Sequence, residues 1–200
     1  MIEIELKFEL KNKINPNLKP DFIKEVEDVY YDTKDYKLLR NGNFLRIRNA
    51  KQLDFKLSAN DLTHLYCNET NYQLNDSNAE DISRVLNSIG VDVDLKRVED
   101  LFSNLEVLAP IKKKRTSYNL EENVVMVIDE VEDLGTFLEI EYDFDAEKID
   151  DASYYENMLV EILKKHSLYD ESMREVHIGY VELYLKKHNM EAYKLGLYQE

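Results

Sequence analysis

The chain has one cysteine, five glycines, three prolines and 26 lysines and arginines among its 200 residues. Cys67 has no second cysteine to pair with, so no internal disulfide forms, and a cytoplasmic setting is expected. So few glycines and prolines leave no stretch that reads as a linker, and one domain over residues 1–200 is the expectation. No apolar run approaches the ~20 residues a membrane helix needs. No basic region followed by an apolar core opens the chain, so it carries no recognisable signal peptide. Cations are outnumbered by 41 aspartates and glutamates, for a net charge of −15. That excludes a generally basic, nucleic-acid-binding surface. A small anionic ligand remains compatible, because cations can gather in one cleft while the outside stays acidic.

What the chain does have is alternation. Ile2-Glu3-Ile4-Glu5-Leu6-Lys7-Phe8 places Glu3, Glu5 and Lys7 on one face of a strand and Ile4, Leu6 and Phe8 on the other. Later segments repeat the device with other signs of charge. Arg46 and Arg48 alternate with Leu45 and Ile47; Lys56 stands between Phe55 and Leu57. Glu69 follows in the next candidate strand. Lys113 and Arg115 share a parity with Ile111, Asp129 follows Val125 and Val127, and Glu139 and Glu141 alternate with Leu138, Ile140 and Tyr142. For any one strand, a solvated outer face explains such charges. Across the whole set, the apolar parity needs helices as cover, which turns the charged faces toward one another. Carboxylates and cations so enclosed need compensation, and a metal–polyphosphate complex supplies it. Mg²⁺ takes carboxylate oxygens, while arginine and lysine hold phosphate oxygens.

Strands are expected over 2–10, 29–33, 44–48, 52–58, 66–74, 111–120, 124–131 and 135–144. Asn41-Gly42 is a hairpin signal ahead of two hairpin-connected strands. Residues 12–25, with Pro16 and Pro20, leave space for a short helix or loop. Helices are expected over 78–88, where Gly90 stops the pattern, and over about 94–106, 148–166 and 171–187.

In this order the motifs resemble the CYTH superfamily, the triphosphate tunnel metalloenzymes. Glu3-x-Glu5-x-Lys7 resembles its ExExK signature. Tyr30-Tyr31-Asp32-Thr33 resembles its YYDT segment and Leu45-Arg46-Ile47-Arg48 its LRxR strand. Phe55-Lys56-Leu57 resembles its lysine strand, and Lys113-Lys114-Arg115 its KxR. Residues 129–141 resemble its DxVxxLGxFxEIE block, and Gly179-Tyr180-Val181-Glu182-Leu183 its closing SYxELL helix, with glycine in place of serine. Many relatives carry a full helix where this chain has the short, proline-bearing stretch over 11–28. The resemblance implies an α+β fold, a closed eight-stranded antiparallel β-barrel with helices packed outside. It implies Mg²⁺ or Mn²⁺ held by Glu3, Glu5, Asp129, Glu139 and Glu141. Phosphates would be held by Lys7, Arg46, Arg48, Lys56, Lys113 and Arg115, joined by Arg174 on the last helix. Glu3, Glu5, Lys7, Arg46, Arg48 and Lys56 would form the catalytic set.

The activity so implied is metal-assisted hydrolysis of inorganic tripolyphosphate or of a small organic triphosphate such as thiamine triphosphate. The family also includes class IV adenylyl cyclases, in which a ribose oxygen replaces water and pyrophosphate leaves. The same cage serves both reactions, and no nucleoside-recognition signature favours the cyclase. A polyphosphate-binding module without catalysis is a third reading, against which the full carboxylate set stands. Cys67 and the four histidines, His64, His166, His177 and His188, lack nucleophile or metal spacing. The fourteen tyrosines, several at helical spacing in 154–184, suit helix-to-sheet packing or a homodimer surface. No membrane or nucleic-acid partner is expected.

Overall fold

The structure, a computed structural model, describes residues 2–12, 14, 16–58, 67–144 and 152–200. Nine strands form one sheet: β1 (Ile2–Leu10), β2 (Phe22–Asp32), β3 (Phe44–Arg48), β4 (Gln52–Ser58), β5 (Cys67–Gln73), β6 (Glu106–Glu121), β7 (Val124–Val131), β8 (Gly135–Phe144) and β9 (Arg174–Glu175). Its hydrogen-bonded order is β5-β4-β3-β2-β6-β7-β8-β1-β9. The helices are α1 (Lys37–Arg40), α2 (Ala79–Ser88), α3 (Ala152–Lys165), α4 (Tyr180–His188) and α5 (Met190–Tyr193). None is long and apolar enough to cross a membrane. The chain gathers into two compact units. The first takes the described parts of Met1–Val26, Asp61–Cys67 and Lys112–Ile178, the second those of Glu27–Asn60, Asn68–Ile111 and Gly179–Glu200.

The α+β composition and the antiparallel ladders agree with the sequence reading; the closed eight-stranded barrel does not. The sheet has nine strands, and its order runs open from β5 to β9. The extra strand comes from residues expected in the last helix. Arg174 and Glu175 pair with Glu9 and Phe8 along β1, and the Val176 N–H donates to the Lys7 carbonyl. Gly179 then occupies the N-cap of α4, so helix begins only at Tyr180.

Three further expectations are revised. The strand expected from residue 29 starts earlier, at Phe22, so residues 22–25 of the stretch read as a short helix or loop are strand, while 16–21 carry neither helix nor strand. The helix expected over 94–106 is a 3₁₀ segment at Val98–Ser103, whose Val98 and Leu101 are buried. Asn41-Gly42 ends α1 rather than turning a hairpin. The β3–β4 turn lies at Asn49-Ala50, both at positive φ, 51° and 53°. Such mirror-image turns match the twist of paired strands, but the left-handed region costs an alanine about 1 kcal/mol. Ala50→Gly is therefore expected to raise the melting temperature by roughly 2–4 °C, read by thermal unfolding.

In the first unit, one face of β1, β7 and β8 is apolar. Ile4, Leu6, Phe8, Met126, Ile128, Leu138 and Ile140 form a core with Leu159, Ile162 and Leu163 of α3. In the second unit, Leu45, Ile47, Leu53 and Phe55 of β3 and β4 pack with Ile82 and Leu86 of α2. Alternation then obliges the other parity of these strands to carry the charges.

Candidate active site

Register sets the site of the first unit. β1 and β8 run antiparallel with Glu5 opposite Glu141 and Lys7 opposite Glu139. Two carboxylates facing each other across a ladder repel. Glu5, Glu139 and Glu141 nonetheless each offer an oxygen to a common locus, with those atoms all within 4.8 Å of one another. Lys7 Nζ lies 2.8 Å from Glu5 and 3.3 Å from Glu139, and also reaches the Ile178 carbonyl at 3.5 Å. Three hard oxygen donors so convergent could hold a metal ion.

Asp129 sits deeper, fully buried on β7 and opposite Arg115 of β6. Arg115 grips it with Nε at 2.8 Å and Nη2 at 2.6 Å, while Lys113 Nζ donates at 2.8 Å. The same Nη2 reaches Glu139 at 2.7 Å, which ties Asp129 to the carboxylate cluster. Burial pulls the Lys113 ammonium below the ordinary lysine range, although Glu139 and Asp129 support its charge. Burial also opposes charge on Arg115, but the Asp129 hydrogen bond and the nearby carboxylates outweigh it and hold its pKa well above the usual value.

The second unit carries its own cluster, on β2, β3, β4 and β5. Asp28 lies opposite Arg48, and Tyr30 opposite Arg46, in the β2–β3 ladder; Arg46 lies opposite Asp54 in the β3–β4 ladder. Asp28 takes Arg48 in a two-pronged grip, at 2.7 Å from Nε and 2.9 Å from Nη2. Arg46 donates from Nε to Asp54 at 2.9 Å and from Nη2 to Glu69 at 3.3 Å, and its Nη1 is 3.9 Å from Asp28. Lys56 Nζ is 3.5 Å from the other oxygen of Glu69. Burial disfavours charge on Arg46, yet the neighbouring Tyr30, Asp28, Glu69 and Asp54 raise its pKa well above the usual value. Burial raises the Tyr30 phenol, with Arg46 opposing.

The structure thus brings Glu5, Lys7, Lys113, Arg115, Asp129, Glu139 and Glu141 together in one unit, and Arg46, Arg48, Lys56 and Glu69 in the other. Glu3 holds its place on β1 opposite Asp143; its side chain, like residue His64, lies outside the described residues. Arg174 is not on a helix. It sits on β9 with its guanidinium 2.8 Å from Glu9, both side chains well exposed, because β1 recruits this segment as strand. Asp28 and Asp54 are members of the second cluster that the sequence reading missed. The signal was present: each sits two residues from a residue already singled out, Tyr30 and Lys56.

The sequence pattern that defines the CYTH domain matches residues 1–174. The chain belongs to the CYTH family. No curated protein matches it in sequence. Among solved structures, this CYTH protein is similar to the PH1819 protein of Pyrococcus horikoshii, with a TM-score of 0.63 at 22% identity, over 93% of this chain and 99% of that one. A candidate adenylate cyclase from Vibrio parahaemolyticus gives 0.59 at 20% identity, over 91% and 97%. A candidate adenylyl cyclase from Hippeastrum, described as having a dominant triphosphatase activity, gives 0.59 at 18% identity, over 96% and 98%. At such identities the likeness concerns the fold.

Proposed function

We propose that this CYTH protein hydrolyses a triphosphate, either inorganic tripolyphosphate or a small organic triphosphate such as thiamine triphosphate, with Mg²⁺ or Mn²⁺. One observation carries the reading: the convergent oxygens of Glu5, Glu139 and Glu141 lie beside the Lys7 ammonium and the Arg115 guanidinium. Glu5, Glu139 and Glu141, with Glu3 two residues before Glu5 on β1, would hold the metal, which would supply charge neutralisation at phosphate oxygens. Lys7 and Arg115 donate to phosphate oxygens and offset the charge that builds as the terminal phosphoryl group departs. Lys113, beside them, adds a further donor whose charge burial makes costly. Asp129 fixes the Arg115 fork. Arg46, Arg48 and Lys56 of the second unit are phosphate donors in this reading, arginine by its several N–H groups. Water, oriented by a carboxylate of the set, attacks the terminal phosphorus; the bond from that phosphorus to the bridging oxygen breaks, the diphosphate departs, and the terminal phosphoryl group is released as orthophosphate. No protein nucleophile is required.

The test offers tripolyphosphate, thiamine triphosphate and ATP in parallel with Mg²⁺ or Mn²⁺, and resolves the products by ³¹P NMR and chromatography. Orthophosphate, chiefly from tripolyphosphate or thiamine triphosphate, is the expected product. Pyrophosphate with cyclic AMP from ATP would establish a cyclase instead. Tight binding without turnover would leave a polyphosphate-binding module.

A further inference from the structure

Asp54 stands out among the buried charges because the proposed chemistry gives it nothing to do. It is fully buried on β4, directly across the ladder from Arg46. Both of its oxygens accept: Oδ2 takes the Arg46 Nε–H at 2.9 Å, and Oδ1 takes the Gln52 side-chain amide at 2.6 Å. Gln52 and Asp54 are two apart on β4 and share a strand face. The three residues form a relay from strand to guanidinium: Gln52 fixes Asp54, and Asp54 fixes the Nε edge of Arg46. Such an arrangement sets which part of the fork is held by protein and which part can turn to a ligand. It also removes rotamer freedom from a long side chain before any ligand arrives.

We infer that Asp54, supported by Gln52, is a positioning residue for the Arg46 grip on phosphate. This rests on the function proposed above and extends it to a group that would not touch the substrate. The simpler alternative is that Asp54 merely neutralises Arg46. The two readings predict opposite signs. A buried carboxylate beside an anion-binding arginine repels phosphate, so on charge alone its removal tightens anion binding. If it orients the guanidinium, removal weakens binding despite the gain in positive charge.

Asp54→Asn discriminates them. It keeps the shape but removes the charge and converts one acceptor to a donor, so Gln52 stays bonded only by turning its amide over, and the Arg46 Nε–H is left with a weaker, neutral acceptor. Positioning predicts a Kd for tripolyphosphate in EDTA about tenfold weaker than that of the unmodified protein, read by calorimetry, with KM rising more than kcat falls. Adding Gln52→Glu puts a carboxylate back into the relay, since the asparagine amide then donates to a charged acceptor and its oxygen accepts from Arg46; most of the affinity should return. Gln52→Ala, which leaves both charges in place, should cost about threefold, and it keeps the question open to test if Asp54→Asn does not fold. Binding by Asp54→Asn as tight as or tighter than that of the unmodified protein overturns the inference. So does a Gln52→Ala protein with unchanged Kd, or a double variant that regains thermal stability without regaining affinity. An unmodified protein that, with Mg²⁺ or Mn²⁺, neither binds nor hydrolyses tripolyphosphate or thiamine triphosphate overturns the proposed function itself, and this inference with it.

Discussion

Replacing Glu5 and Glu139 together by glutamine is expected to lower triphosphate turnover by about a thousandfold or more. These residues contribute two of the three convergent carboxylates and also hold Lys7, at 2.8 and 3.3 Å. Amides of the same shape keep oxygens that Lys7 can donate to, so the fold should tolerate the change better than it would alanine. What is lost is the negative charge that a divalent cation requires. Titration with Mn²⁺ should show the corresponding loss of metal affinity in the absence of substrate. Tripolyphosphate binding in EDTA should hold or tighten, because two anions have left the neighbourhood of Lys7 and Arg115. Turnover within a few-fold of the unmodified protein would remove these residues from the chemistry. Loss of tripolyphosphate binding along with turnover would mean that the substitutions had damaged the phosphate donors instead.

The second large effect concerns Asp129. Asp129→Ala is expected to destabilise the protein by about 3–5 kcal/mol, because it leaves buried cations without their carboxylate. Lys113 Nζ and both gripping nitrogens of Arg115 reach this one group, which is fully buried. Urea unfolding in EDTA measures it. A residue that served only as a metal ligand would cost nothing there, so the chelated condition separates the two roles. Asp129→Asn, which can still accept from Arg115, should fall between. A pair of variants as stable in EDTA as the unmodified protein would assign Asp129 to metal binding alone.

The strands that build the site were legible because alternation is a backbone property. β3, β4, β7 and β8 begin and end where the pattern places them. The family motifs added the order in which these strands follow one another. Register was not legible. Nothing local says that Glu5 faces Glu141 or that Lys7 faces Glu139, since pairing is decided by turns and packing far along the chain. Asp54 escaped for a related reason: between Leu53 and Phe55 it reads as an ordinary polar alternation, and only the ladder reveals Arg46 across from it. The region after α2 misled through spacing. Val91, Val93 and Leu95 alternate and are buried, while Val98, Leu101, Phe102 and Leu105 mimic a helical stripe whose Phe102 remains exposed. Residues 171–178 misled through their neighbours, because β1's backbone claims Arg174 and Glu175 as a strand.

That two-residue strand has a consequence for how copies of the chain behave when crowded. A sheet that ends on a long, flat, apolar strand offers its unpaired amides and carbonyls to the next molecule, and can grow by edge-to-edge addition. Here the last strand in the order is β9, two residues long, with Arg174 and Glu175 both exposed. It gives an incoming strand little ladder to extend, and each charge it presents must be dehydrated for that ladder to form. The net charge of −15 works in the same direction by mutual repulsion. A segment recruited from outside the main run of strands thus blunts the sheet at the two positions of β1 that it covers, Phe8 and Glu9.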